Sequence, residues 1–412
     1  GADVNMRDND DYTALMHACR NVEDFELIKV LIYAGSSIDA QSKDGWTALM
    51  LAARYNKNID ITKFLIECGA DVNMRDNDDY TALMHACRNV ENLELIKVLI
   101  NAGSNINQQD KDGWTALMLA ARYNKNINNI TKFLIESGAD LNMRNNDDRT
   151  ALMVACRYSE YLELIKLLVN AGSNINQQNK YGWTALMYAA GYNKNINITK
   201  YLIESGADEN MRNNDGESVL MVACRYSEYL EIIKLLVNSG SNINQQYKYG
   251  WTALMYAAEY NKNINITKFL IESGADVNMR NNNDWSVLMV ACRYSEDLEL
   301  IKVLINAGSN INYKDKDGWT ALMFAARYNK NINITKYLIE SGADVNVRNN
   351  NDWTALMVTC RDIENLEIIK LLINGGSNIN YLKKNGWTAL MIAARYNKNI
   401  DITKFLIESG AD

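Results

Sequence analysis

Residues 45–73 read GWTALMLAARYNKNIDITKFLIECGADVN, and this stretch decides the fold. Thr47 is a favourable helix N-cap, since its hydroxyl can accept from an orphan backbone N–H two or three residues on. Leu49, Met50, Ala52 and Ala53 follow at helical spacing and give a short helix with a small-residue face. Asn56-Lys57-Asn58 interrupts the pattern, and Asn tolerates the left-handed conformation that ends helices. Asp60 is then expected to cap a second helix, as Asn197, Asn265 and Asn333 would in sister copies. Ile61, Phe64, Leu65 and Cys68 recur along one stripe of that helix, and Gly69 is the expected C′ glycine. Polar residues such as Lys43-Asp44-Gly45 make an extended hairpin loop leading to the next Thr.

The unit recurs along the whole chain. Aligning on the capping hydroxyl gives Thr13, Thr47, Thr81, Thr115, Thr150, Thr184, Ser218, Thr252, Ser286, Thr320, Thr354 and Thr388. Every step is 34 residues except the one that holds an extra Asn at 128–129. Two subtypes alternate, so the deeper period is 68, as duplication of a pair would leave it. Two short helices cannot bury both faces alone, and stacked neighbours supply the missing surface. An all-α repeat solenoid follows, with hairpin loops joining helix-turn-helix units.

The unit from Gly45 to Asn73 resembles the ankyrin repeat, twelve times over, across essentially the whole chain. It departs from that family in three ways. Thr-Pro-Leu-His becomes Thr-Ala-Leu-Met, so the family's Thr–His hydrogen bond cannot form. The usual Gly-His of the inter-helix turn becomes Asn-Lys-Asn or segments such as Val22-Glu23-Asp24. Each unit is also one residue longer than the usual ~33. These changes bear on stability rather than fold.

Composition narrows the function classes. The 412 residues carry 43 basic and 50 acidic side chains, a net charge of −7, which disfavours general nucleic-acid binding. No apolar run is long enough for a transmembrane helix. Proline is absent and no Gly- or Ser-rich linker interrupts the chain, so residues 1–412 read as one continuous array. The start at Gly1, without Met or a signal pattern, reads as a segment of a longer array. Richness in Asn, Ile, Lys and Tyr fits an AT-rich genome. Such arrays are similar to those of large DNA viruses, amoebae or intracellular bacteria, which would place the chain in a host cytoplasm.

The eight tryptophans carry the sharpest signal. Trp46, Trp114, Trp183, Trp251, Trp285, Trp319, Trp353 and Trp387 all immediately precede a capping hydroxyl. Tyr12 and Tyr80 take the same slot, and Arg149 and Glu217 interrupt it. The family resemblance implies a place at the base of the finger, on the concave side where partners dock. Two roles fit an indole there: an interface anchor, or a packing element that stiffens the stack. A second row lies near the end of the first helix. It comprises Arg54-Tyr55, Arg122-Tyr123, Arg157-Tyr158, Arg225-Tyr226, Arg293-Tyr294, Arg327-Tyr328 and Arg395-Tyr396. The resemblance implies the concave face for these as well, and Trp, Tyr and Arg are the residues enriched at interfaces. Pairing of the arginines with finger carboxylates such as Asp76, Asp78 and Asp79 is the plainer alternative.

Enzymatic and metal chemistry find no foothold. Cys19, Cys87, Cys156, Cys224, Cys292 and Cys360 share one small-residue slot, too far apart for disulfides, with Cys68 isolated. They read as buried thiols of a reducing compartment, the cytoplasm. His17 and His85 occupy equivalent slots of different units and cannot form a catalytic pair. No Cys/His cluster has metal-ligand spacing, and the acidic finger Asp8-Asn9-Asp10-Asp11 lacks the Glu and Gly of a calcium loop. The Asn-Ile-Thr sequons at Asn129, Asn197, Asn265 and Asn333 are explained by capping rather than glycosylation. The expectation is a non-enzymatic, cofactor-free scaffold for another protein. The alternative is a structural protein that self-associates head to tail through uncapped terminal repeats, which light scattering over a concentration series would detect.

Overall fold

The hydroxyl-capped pattern becomes helix pairs throughout. A computed structural model describes residues 3–21, 24–56, 58–89, 92–123 and 127–412; Gly1, Val22, Glu23 and Lys57 lie outside these. Among the described residues there are 24 helices and no regular strand. Each repeat contributes an inner helix of eight residues, such as Ala48–Tyr55, and an outer one, such as Ile59–Glu67. The outer helices have nine residues except Ile127–Glu136, which has ten and so absorbs the extra residue of its repeat. The chain divides into two compact units, residues 1–208 and 209–412. Within each, inner helices pack on inner helices and outer on outer, the arrangement of an all-α solenoid.

All twelve capping hydroxyls accept the backbone N–H three residues on, at 3.2–3.4 Å. The inner helix lies between two like neighbours, so Ala48 through Ala53 are all buried. The outer helix has one neighbour layer and buries only a stripe, Ile61, Thr62 and Leu65. Each fully buried aliphatic side chain of this layer contributes roughly 1.5–3 kcal/mol.

Two sequence expectations are corrected. Asp60 is not the cap of the outer helix: Asn58 is, its side chain accepting the Asp60 N–H at 3.0 Å. Asn195, Asn263 and Asn331 do the same in sister repeats, so the Asn of each sequon lies inside the helix. Nor does Asn56 end the inner helix in a left-handed conformation, because its backbone is extended (φ −91°, ψ 131°). Its side chain crosses instead to the previous repeat and donates to the Cys19 carbonyl at 3.0 Å. Asn193 in the first unit donates to Cys156 and Ser159 carbonyls at 2.8 and 2.7 Å, and Asn329 in the second to those of Cys292 and Ser295. Only one subtype carries this asparagine; in the sequence the other has Val22, Val90, Ser159, Ser227, Ser295 or Ile363 in the slot. The 68-residue period therefore records a buried staple at alternate junctions.

The fingers are closed by turns rather than by strand ladders. Ser42 N–H donates to the Trp46 carbonyl at 3.0 Å, and the next bonds run between finger tips, as from Asn77 N–H to the Asp44 carbonyl at 2.9 Å. Gly45 sits at φ +81°, and a Cβ there would lie 2.7 Å from the Asn77 nitrogen of the next finger. The alternate subtype puts aspartate in this left-handed slot, as at Asp79 (φ 64°).

Candidate binding face

Each tryptophan is placed by the finger that precedes it. In six of the eight, a finger side chain four residues earlier accepts the Trp backbone N–H, as Asp110 does for Trp114 (2.7 Å) and Asn349 for Trp353 (2.9 Å); Tyr247 and Lys383 stand there before Trp251 and Trp387. Burial raises the carboxyl pKa of Asp110 and of Asp315, which hold these turns. All eight indoles end half-buried.

The arginine seven residues past the cap lies over the indole of its own repeat. Guanidinium-to-ring distances are 5.2 Å for Arg54–Trp46, 5.3 Å for Arg122–Trp114, 5.0 Å for Arg293–Trp285 and 5.3 Å for Arg395–Trp387. The same guanidiniums also meet tyrosines of their own and the next repeat: Arg122 lies 4.9 Å from Tyr123 and 4.6 Å from Tyr158. The two rows thus merge into one aromatic–cation array within each unit. Each such contact contributes about 0.5–1 kcal/mol where it is solvent-exposed.

The finger carboxylates do not take up this row. Asp79 pairs with Arg75 at 3.6 Å, and Asp76 with His85. Among the described residues, carboxylates reach the row only at Arg225, through Glu217 (3.1 Å), and at Arg327, through Asp362 (2.9 Å). Three cavities open along the array. One of about 260 Å³ is lined by Trp46, Arg54, Tyr80, His85 and Arg88, and one of about 470 Å³ by Trp285, Arg293, Trp319 and Arg327. A third, of about 170 Å³, lies between Trp319, Trp353, Arg327 and Arg361.

At four junctions one pairing recurs. The residue in the Trp slot meets the residue 39 positions later, in the next inner helix. Trp46 stacks on His85 at 4.2 Å, and Trp285 meets Phe324 edge-on at 4.8 Å. Arg149 donates through Nε to the Tyr188 hydroxyl at 3.1 Å, and Tyr256 donates to Glu217 Oε1 at 2.7 Å. Sequence reasoning passed over these partners. A signal existed: only the two units with histidine in that slot carry Asp8 or Asp76 nine residues before it, where like units carry Asn145, Asn213, Asn281 and Asn349. His85 Nε2 lies 2.9 Å from Asp76 Oδ2, both side chains being buried. Burial lowers the His85 pKa despite Asp76, with Arg54 and Arg88 adding to the fall. Glu217 is only 4% exposed and is satisfied by Arg225, Tyr256 and Asn213. Burial, with hydrogen bonds to Tyr247 and Glu217, pushes the Tyr256 hydroxyl far up.

All seven thiols are free, Cys68 alone being exposed. Burial raises the other six, Cys19 and Cys360 to about 12. Among the described residues no group of three His, Cys, Asp or Glu side chains could hold a metal ion. No helix there is long and apolar enough to cross a membrane.

Stacked helix pairs joined by finger loops, with aromatic and guanidinium rows along them, define a repeat array of the interaction type. The chain belongs to the ankyrin repeat family: the family model described as ankyrin repeats (3 copies) matches residues 15–110, 83–179, 126–213, 152–247, 186–281, 254–349 and 329–412. No curated protein matches the chain. Ankyrin repeats generally mediate protein–protein interaction, and proteins built from them are typically non-enzymatic.

Proposed function

We propose that this array is a non-enzymatic scaffold that captures another protein along a concave groove, through its Trp row and its Arg-Tyr row. One observation carries the proposal: all eight indoles sit in one repeat slot and all stay partly accessible to solvent. Indoles recruited only to stiffen the stack would be expected to close against their neighbours, since burial is what stabilises them. Guanidiniums resting on six of those indoles hold planar, weakly hydrated donors ready for a partner's backbone and carboxylates. The cavities beside Trp46, Trp285 and Trp319 offer places for anchor side chains.

The test is comparative capture. Intact chain and a Trp183→Ala/Trp251→Ala/Trp319→Ala variant are used as baits in the same lysate. The proposal expects bound proteins to be lost from the variant at equal bait folding. Identical capture by both would remove the Trp row from the binding surface.

A further inference from the structure

The aromatic–cation array follows a counting rule. A tyrosine in the row takes one guanidinium from its own repeat and one from the repeat before. Tyr123 has Arg122 at 4.9 Å and Arg88 at 5.2 Å, and Tyr158 has Arg157 at 5.3 Å and Arg122 at 4.6 Å. Tyr328 has Arg327 at 4.9 Å and Arg293 at 4.6 Å. Tyr260 and Tyr294 break the rule. Tyr260 has Arg225 alone at 5.2 Å, and Tyr294 has Arg293 alone at 5.2 Å. Both deficits trace to residue 259, where the repeat carries Glu instead of Arg.

A cavity opens beside this position. A cavity of about 320 Å³ is lined by Glu259, Tyr260 and Tyr294, with Glu296, Asp297 and Lys262. Glu259 is half-buried, and among the described residues no cation lies within ion-pair distance of it. Burial raises its pKa, as expected of a desolvated carboxyl whose hydrogen bond with Tyr260 and whose neighbouring guanidiniums, Arg225 and Arg293, only partly offset that cost. Two half-open tyrosine rings, a carboxyl group and an excess of acidic lining residues are complementary to one planar cation.

We propose that this slot takes an arginine side chain of a protein partner, its guanidinium lying between Tyr260 and Tyr294 and pairing with Glu259. It would complete from outside the stack that Arg122 makes between Tyr123 and Tyr158. Arginine is preferred to lysine because its flat group stacks on rings and pairs with a carboxylate at once. This inference rests on the reading of the array as a protein-binding surface and gives that surface one point of specificity.

The probe is the blocked tripeptide acetyl-Gly-Arg-Gly-amide, with its uncharged citrulline twin, titrated by ligand-observed NMR into the full chain. The Arg peptide should bind saturably with a Kd on the order of millimolar, and the citrulline peptide roughly tenfold more weakly. Glu259→Gln should weaken the Arg peptide by about tenfold. Glu259→Arg should abolish saturable binding while leaving the melting curve intact, since Arg122 and Arg327 occupy the same slot in sister repeats. Should Glu259→Arg unfold, Glu259→Gln carries the test. Equal affinity for the two peptides, equal affinity of wild type and Glu259→Gln, or no saturable binding to wild type overturns the proposal. A negative result leaves the Trp-row reading standing, because that reading is tested on the Trp variants. A null result with those variants likewise leaves the tripeptide titration intact.

Discussion

Two junctions built on the same repeat solve one packing problem with different chemistry. In the first unit Trp46 fills the slot before the cap, stacks on His85 of the next repeat at 4.2 Å and carries Arg54 above it. In the second unit the slot holds Glu217, which binds Arg225 and accepts from Tyr256 of the next repeat. Stacking tolerates some contact with solvent, and Trp46 remains only half-buried. A carboxylate taken out of water needs every lone pair met, and Glu217 is accordingly closed off at 4% exposure. The slot is thus one half of a two-repeat unit whose other half lies 39 residues on, and departures from the repeat come in matched pairs.

That contrast predicts unequal costs. Glu217→Leu should destabilise the chain by about 3 kcal/mol, because Arg225 loses its carboxylate and the Tyr256 hydroxyl its acceptor. Trp46→Leu, which removes a stack half open to water, should cost about 1 kcal/mol. Urea unfolding of the two variants measures both, and the reverse order would refute the contrast. The staple recurs at alternate junctions, so Asn56→Ala and Asn261→Ala should cost alike, about 2 kcal/mol each, for the carbonyls they leave unmet.

Protonation should separate the junctions again. The folded His85 pKa lies below 6.5, so below that pH the unfolded chain holds more protons than the folded one. The stability tied to His85 is full above pH 6.5 and falls as the pH drops beneath it. His85→Phe should flatten that part of the stability–pH curve, as followed by thermal melts between pH 5 and 7.5; an unchanged slope would show that His85 is not its source. The smallest effect concerns thiols. An aromatic disulfide reagent should label Cys68 rapidly and leave Cys19, Cys87 and Cys224 untouched until unfolding, with no change in melting temperature. Rapid labelling of several thiols would contradict their burial.

Most of the fold is legible in the sequence because it is local. Thr47 caps three residues ahead, Gly69 takes φ +97°, and Ala52 and Ala53 mark the buried inner helix. The outer-helix cap was misplaced between Asn58 and Asp60, since both side chains suit a cap and lie two residues apart. Asn56 could not be read at all, as its partner is 37 residues away. The site was legible as two rows but not as one array. That Arg122 bridges Tyr123 and Tyr158 depends on how far one repeat advances over the next, which spacing along the chain does not encode. In the sequence Glu217 only interrupts the Trp row; its partner Tyr256 lies 39 residues on.

The central claim is that the tryptophan row serves a partner and not the stack. Cooperative urea unfolding of Trp183→Ala/Trp251→Ala/Trp319→Ala beside Asn193→Ala/Asn261→Ala/Asn329→Ala tests it most directly. The Trp variant should keep a single sharp transition and lose less stability than the Asn variant, whose staples are buried or part-buried. A broadened transition in the Trp variant, with the larger loss of stability, would make the row a structural ladder and contradict the account.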